Sequence, residues 1–210
     1  MPEREPPTYD RFAAHYDRAM RPLERWGLMR LRAAALRELP ESARLLEVGA
    51  GTGANFALYP RESSGVASEP SGEMLKRASA RAERPQGVRL VQAAAEALPF
   101  ADDTFDAAFA TLVFCSVASP SKAFAELRRV VRPGGRVVLL EHVRPSGALG
   151  YAFDALSLVT VPLMDDHFNR RTAREAARAG LEVLRVEKHL FGVIQIIVCR
   201  VGHAGEVESR

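Results

Sequence analysis

The stretch Leu45-Leu46-Glu47-Val48-Gly49-Ala50-Gly51-Thr52-Gly53-Ala54 constrains this chain more than any other. An apolar run of strand length ends in three glycines spaced by single residues, and a helix-like pattern follows. Glycine has no Cβ, so such a turn lets a ligand lie against bare backbone, beside the N–H groups that open the next helix. The unit starts an open α/β sheet, and the remaining sequence repeats its alternation. Apolar runs at Arg44–Val48, Gly65–Glu69, Val88–Gln92, Phe105–Thr111, Arg136–His142, Glu182–Glu187 and Val193–Arg200 predict seven strands. Helices fit Gly53–Tyr59, Ser71–Arg84, Pro120–Val130 and Thr172–Ala179 between them. Ser71 reads as an N-cap, and Arg132-Pro133-Gly134-Gly135 places Pro and Gly as a type II turn requires. The tight connection at Phe191-Gly192 predicts an antiparallel pair at the end of the sheet.

The flanks differ in texture. Phe12, Tyr16, Met20, Leu23, Leu31 and Leu36 recur at helical spacing, with Pro22 as a break, which predicts a helical N-terminal cap over residues 1–40. The α/β domain then runs over 41–203 and a polar tail over 204–210, with an inserted apolar helix between Ala148 and Met164. A length of 210 residues suits one such domain, and 47% apolar with 26% charged residues excludes a disordered or all-membrane chain. No apolar stretch reaches the roughly 18 residues that cross a bilayer, and the polar, Pro-rich start is unlike a secretory leader, so a cytoplasmic location is expected. Cys115 and Cys199 lie in apolar runs and read as buried free thiols; two cysteines are too few for a structural zinc site, and no metal is expected. The net charge is +3, and the basic residues between Arg11 and Arg37 are interleaved with Asp10, Asp17, Glu24 and Glu38. Without a single-sign stripe, nucleic acid is not the expected partner. Trp26, Leu28 and Met29 with their flanking arginines would suit peripheral contact with a lipid surface, and nothing in the pattern fixes an oligomeric state.

Two cofactors compete for the glycine turn. Gly49-x-Gly51-x-x-Ala54 satisfies the dinucleotide fingerprint, and Glu69 follows at a distance that suits the ribose hydroxyls, as in an NAD-dependent oxidoreductase. S-adenosylmethionine (SAM) carries a sulfonium and an ammonium group and no phosphate. Glu47, just before the turn, would repel a pyrophosphate and tolerate that cation; its other reading is a carboxylate that hydrogen-bonds the turn amides. No Tyr-x-x-x-Lys pair is evident, which disfavours the oxidoreductase, and a SAM-binding module without catalysis is a third reading.

Four motifs follow one another along the chain. Glu47 to Gly53 is the first, and Ser68-Glu69-Pro70-Ser71-Gly72-Glu73-Met74-Leu75 the second. Ala95-Glu96-Ala97-Leu98-Pro99-Phe100-Ala101-Asp102 with Phe105-Asp106 is the third, and Leu127 to Gly135 the fourth. With them the chain resembles the class I SAM-dependent methyltransferases from about Tyr9 to Arg200, in the branch of small-molecule and lipid enzymes. The resemblance implies a doubly wound, seven-stranded Rossmann-like sheet of order 3-2-1-4-5-7-6 with strand 7 antiparallel. It implies a soluble enzyme that moves the SAM methyl group to a small, lipophilic acceptor and releases S-adenosylhomocysteine. The methionine half of SAM would lie on Gly49, Ala50, Gly51, Thr52 and Gly53, near Glu47, with its end flanked by Thr111 and Leu112. Glu69 would hold the ribose, Pro70 and Met74 would pack on the adenine, and Ala95 with Glu96 would cover it. Ala94 stands where quinone C-methyltransferases carry an Asp, a departure shared with thiol S-methyltransferases, which are also similar at Thr111 to Val117 and Glu141-His142-Val143. Bacterial phospholipid N-methyltransferases are similar at Tyr9-Asp10 and Tyr16-Asp17. His142, at the end of the fifth strand, is the candidate base or substrate contact, with Asp165, Asp166 and His167 as a second polar cluster. Tyr9 and Tyr16, seven apart, share a helix face that would close as a lid.

Overall fold

The computed structural model describes residues 8–145, 147, 150–158 apart from 152 and 156, 167 and 170–202, with side chains from residue 15 onward. Helix α1 (Thr8–Leu23) runs through Pro22, and the break expected there falls one turn later, in a π-helical turn at Glu24–Leu28. Gly27 supplies that break: its φ of 130° is open to glycine, and helix α2 (Met29–Leu36) starts from the bend. Next come β1 (Arg44–Val48), β2 (Ser64–Ser68), α3 (Gly72–Ser79), β3 (Val88–Val91), β4 (Phe105–Thr111), α4 (Pro120–Val130) and β5 (Val131–His142). Helix α5 (Thr172–Arg178) leads to β6 (Leu181–His189) and β7 (Ile194–Val201). The described residues between 150 and 158 are helical, in the expected inserted segment.

The strands form one sheet of order β3-β2-β1-β4-β5-β7-β6, with β7 antiparallel to both of its neighbours. Side chains alternate across it. Leu46, Ala108, Ala110, Val137 and Leu139 face a cluster with Phe124, Leu127 and Val130 of α4 and Ala176 of α5. Leu45, Phe109, Val138 and Leu140 face Leu28, Ala35, Leu36 and Leu39. Residues 28–39 are therefore a covering layer of the sheet as well as part of the cap. Phe124 and Leu127 are essentially unexposed, and burying each such side chain contributes about 1.5–3 kcal/mol.

Local chemistry sets the element ends. Ser71 caps α3, its hydroxyl accepting from the Met74 N–H at 3.1 Å, and Pro120 opens α4 where its missing N–H costs nothing. The segment expected as a type II turn, Arg132-Pro133-Gly134-Gly135, instead lies inside β5, where the pairing with β4 shifts register and Gly134 has a φ of 78°. Another expectation fails: no α-helix spans Gly53–Tyr59, only a three-residue 3-10 turn at Phe56–Leu58. Asn55 is drawn inward by Glu47, Thr111 and Arg32, and Phe56 is buried, so the backbone dips under the glycine turn instead of rising into a helix.

Candidate functional site

From β1 the chain moves outward through β2 and β3, then crosses back to β4 on the other side of β1. Loops leaving the C-terminal ends of β1 and β4 thus diverge, and open α/β sheets bind ligands in that crevice. Here it is a cleft of about 410 Å³, within the range of small-molecule sites. Gly49, Ala50, Gly51 and Thr52 form its floor, and Glu69, Pro70 and Met74 one wall. Ala94, Ala95 and Glu96 close one end; Thr111, Leu112 and Val113 with Ser116, Val117 and Ala118 form the other. Tyr16 and Arg32 come down onto it from α1 and α2.

Three amides of the glycine turn are already bonded, two of them to the end of β2 and the residue after it. Ala50 N–H donates to the Ser68 carbonyl at 2.9 Å, Gly51 N–H to Glu69 Oε2 at 2.9 Å, and Gly53 N–H to the Ala50 carbonyl at 2.9 Å. Glu69 Oε1 also accepts from the Ser71 N–H at 3.0 Å, so one carboxylate ties the turn to the start of α3. Gly49, Gly51 and Gly53 all have positive φ. At Gly49 an added Cβ would come within 2.4 Å of Val113 Cγ2, so the two loops can close on each other only over glycine.

Behind the turn runs a buried polar chain. Arg32 is 3% exposed; it donates to Glu24 Oε1 at 3.0 Å, to Asn55 Oδ1 at 3.1 Å and to Thr111 Oγ1. Asn55 in turn donates to Glu47 Oε1 at 2.6 Å and Thr111 Oγ1 at 2.9 Å, and Tyr59 donates to Glu47 Oε2 at 2.6 Å. Burial raises the Glu47 pKa, against the lowering effect of Tyr59, Asn55 and Arg32. Burial and then the Glu47 charge push Tyr59 well above its ordinary value.

Several expected site residues are thereby placed elsewhere. Glu47 is completely buried, is not on the cleft wall and touches none of the turn amides; Asn55 and Tyr59 hold it. Gly53 shapes the turn from below and does not line the cleft. His142 is buried and also off the wall, because strand alternation turns it to the face of Val138 and Leu140. Its neighbour Glu141 points the other way and holds the loop after β4, accepting from Val113 N–H at 3.0 Å and Phe114 N–H at 3.2 Å. That loop starts at Leu112 with φ 59°, a left-handed conformation that costs a non-glycine residue about 1–3 kcal/mol and persists where surroundings over-determine it. Glu96 lies at the cleft as expected and also accepts from the Ser119 N–H at 3.1 Å.

The N-terminal helix is fastened over the turn. Asp17 accepts from Thr52 Oγ1 at 2.6 Å and from Arg81 at 3.0 Å, which sets the neighbouring Tyr16 against the cleft. Burial pushes the Tyr16 phenol up to about 12, with Arg32 acting in the opposite direction. The side chain of Tyr9, and Asp165 and Asp166, lie outside the described residues. His167 N–H donates to the Cys115 carbonyl at 3.0 Å, and Arg170 to the Val117 carbonyl at 2.9 Å, so this returning segment braces the loop after β4. Arg32 and Asn55 were not singled out in the sequence, and Asp17 was named there through the likeness at Tyr16-Asp17 without a role. The only signal for the first two was a polar residue interrupting an apolar helix face.

A methyltransferase domain model matches residues 46–139. The chain is 34% identical to a thiol S-methyltransferase of Mus musculus over 150 residues, 68% of this chain and 62% of that protein. It thus spans less than two thirds of that relative's length. It is 32% identical to a phosphatidylethanolamine N-methyltransferase of Cereibacter sphaeroides over 156 residues, 67% of this chain and 76% of that one. Among solved structures, a SAM-dependent methyltransferase of Thermotoga maritima superposes with a TM-score of 0.72 at 24% identity, over 92% of this chain and 97% of that one. The shared strand order, the crevice between β1 and β4 and these likenesses together place the chain in the family of SAM-dependent methyltransferases.

Proposed function

We propose that this protein moves the methyl group of SAM to a small, lipophilic acceptor by in-line displacement. The observation that carries the reading is the set of bonded amides in the glycine turn. A dinucleotide pyrophosphate needs free turn amides and a helix N-terminus; here the amides of Ala50, Gly51 and Gly53 are already bonded, and a 3-10 turn replaces the helix. A phosphate-free ligand needs neither.

The cleft walls fit SAM group by group. Arg32, the cationic side chain on the wall, would meet the methionine carboxylate, and Glu69 the ribose hydroxyls. Pro70, Met74 and Ala95 would pack on the adenine, with Ala94 offering no side-chain acceptor to its amino group. Two carboxylates, Glu69 and Glu96, stand against one guanidinium, which suits a ligand of net positive charge. When bound, SAM supplies a methyl group on sulfonium with a neutral thioether as leaving group. The chain's own part is to hold donor and acceptor in line and to exclude water, worth up to about 7–11 kcal/mol. Tyr16 from above, and the loop from Leu112 to Ala118 braced by Glu141, do this at the methyl-bearing end. Leu112, Val113, Val117 and Ala118 make that end apolar, which supports a lipophilic acceptor. A general base at His142 has no support from its position.

The test is a thermal-shift titration with SAM, S-adenosylhomocysteine and NAD, followed by methyl transfer to a panel of an alkyl thiol, a quinol and an amine-headed phospholipid. SAM and S-adenosylhomocysteine should stabilise the protein, NAD should not, and one acceptor should be turned over. Stabilisation by NAD alone would refute the reading, and binding of SAM with no acceptor methylated would reduce it to a binding module.

A further inference from the structure

The bend between α1 and α2 sorts its charges in a way that the sequence does not reveal. Both acids between residues 15 and 30 are neutralised by partners outside this stretch: Asp17 pairs with Thr52 and Arg81, and Glu24 with the buried Arg32. The arginines of the same stretch, Arg18, Arg21, Arg25 and Arg30, are exposed, and none pairs with an acid among the described residues. Apolar side chains project among them. Trp26 is 91% exposed, Leu23 is 57% exposed, and Met29 is exposed too. No local packing accounts for Trp26, since Gly27 turns the backbone and it is Leu28 that enters the core.

A second exposed apolar point lies on the β6–β7 turn. The β6–β7 turn carries Leu190 and Phe191, the latter 97% exposed, and Ile194 just after it belongs to the same apolar cluster as Leu28. The bend itself continues through α2 into Arg32 and the cleft.

We propose that this surface docks on an anionic lipid bilayer, Trp26 entering the headgroup region and the four arginines meeting lipid phosphates. The inference deepens the proposal of a lipophilic acceptor, because a docked bend would bring the cleft to the layer where such an acceptor resides. Charge complementarity selects the occupant. A protein partner would have to match four unpaired cations around a protruding indole, whereas an anionic bilayer offers diffuse negative charge and a depth that accepts Trp and the apolar stems of arginine.

Trp26 is the only tryptophan in the chain, so its fluorescence reports on this surface alone. With vesicles of phosphatidylglycerol in phosphatidylcholine, the emission should shift to the blue, brominated acyl chains should quench it, and the protein should sediment with the lipid. Replacing Arg21, Arg25 or Arg30 by Gln should weaken binding about 5-fold each. Trp26→Ser, at an exposed site, should abolish sedimentation yet leave S-adenosylhomocysteine affinity unchanged, so that failure of the surface is separable from failure of the methyltransferase reading. An unshifted emission, equal binding to pure phosphatidylcholine, or a blue shift that grows with protein concentration without lipid would overturn the proposal.

Discussion

Arg32 joins fold and function, and its replacement by Met tests both. Met keeps an apolar stem of similar length and removes the guanidinium, leaving Glu24 at 18% side-chain exposure without its cation, Asn55 Oδ1 without its donor, and Thr111 Oγ1 with the Asn55 amide as its remaining donor. Removing one partner of a buried ion pair costs about 3–5 kcal/mol. Glu24 retains some water, so the lower end applies, and a loss of about 3 kcal/mol lowers Tm by about 6–12 °C for a chain of this size. The double variant Arg32→Met with Glu24→Gln removes both charges and should regain most of that loss, because an ion pair replaced as a unit is close to neutral. Cofactor affinity should behave differently. A lost charge-assisted bond to the methionine carboxylate weakens S-adenosylhomocysteine by about 10- to 100-fold, and the double variant should not restore it. Urea unfolding followed by circular dichroism, with calorimetry for the ligand, separates the two effects. If the single variant loses less than 1 kcal/mol, or if the double variant recovers ligand affinity along with stability, Arg32 does not have these roles.

Asp17→Asn should release α1 from Thr52 and Arg81; the partners are partly exposed, so stability should fall by no more than about 1 kcal/mol, while stopped-flow dissociation of S-adenosylhomocysteine should quicken several-fold. Gly49→Ala should all but abolish ligand binding in calorimetry, because its Cβ would press on Val113, and adding Val113→Ala should restore only part of it, since the positive φ of 68° still disfavours alanine. Tyr16 keeps its proton up to about pH 12 in the folded protein, whereas the unfolded chain releases it near 10. Stability should therefore fall as pH rises through that window, and Tyr16→Phe should lose less between pH 9 and pH 11 when urea midpoints are compared.

The strands were legible because they bury continuous apolar runs: Arg44–Val48 and Phe105–Thr111 end where the sequence says they should. Order within the sheet came through the family resemblance, since pairing between distant segments leaves no local pattern. The helix expected after Gly53 failed for a tertiary reason, the pull of Glu47, Thr111 and Arg32 on Asn55, which no window of neighbouring residues contains. The floor and walls of the cleft were readable from motifs that lie near strand ends. Arg32 was not, being one arginine among many in a helix whose charges look alike until the fold divides them. The same division misled the reading of Glu47 and His142. A position at a strand end does not tell which face the side chain takes, and alternation sends Glu141 to the loop after β4 and His142 to the opposite side.

Isothermal calorimetry of the unmodified protein with S-adenosylhomocysteine and, separately, with NAD addresses the glycine turn most directly. Saturable one-to-one binding of the sulfur nucleoside, with no heat from the dinucleotide, is the expected pattern for a turn whose Ala50, Gly51 and Gly53 amides are already bonded. Tight NAD binding would mean that those amides open to a pyrophosphate, contrary to the geometry on which the proposed function stands.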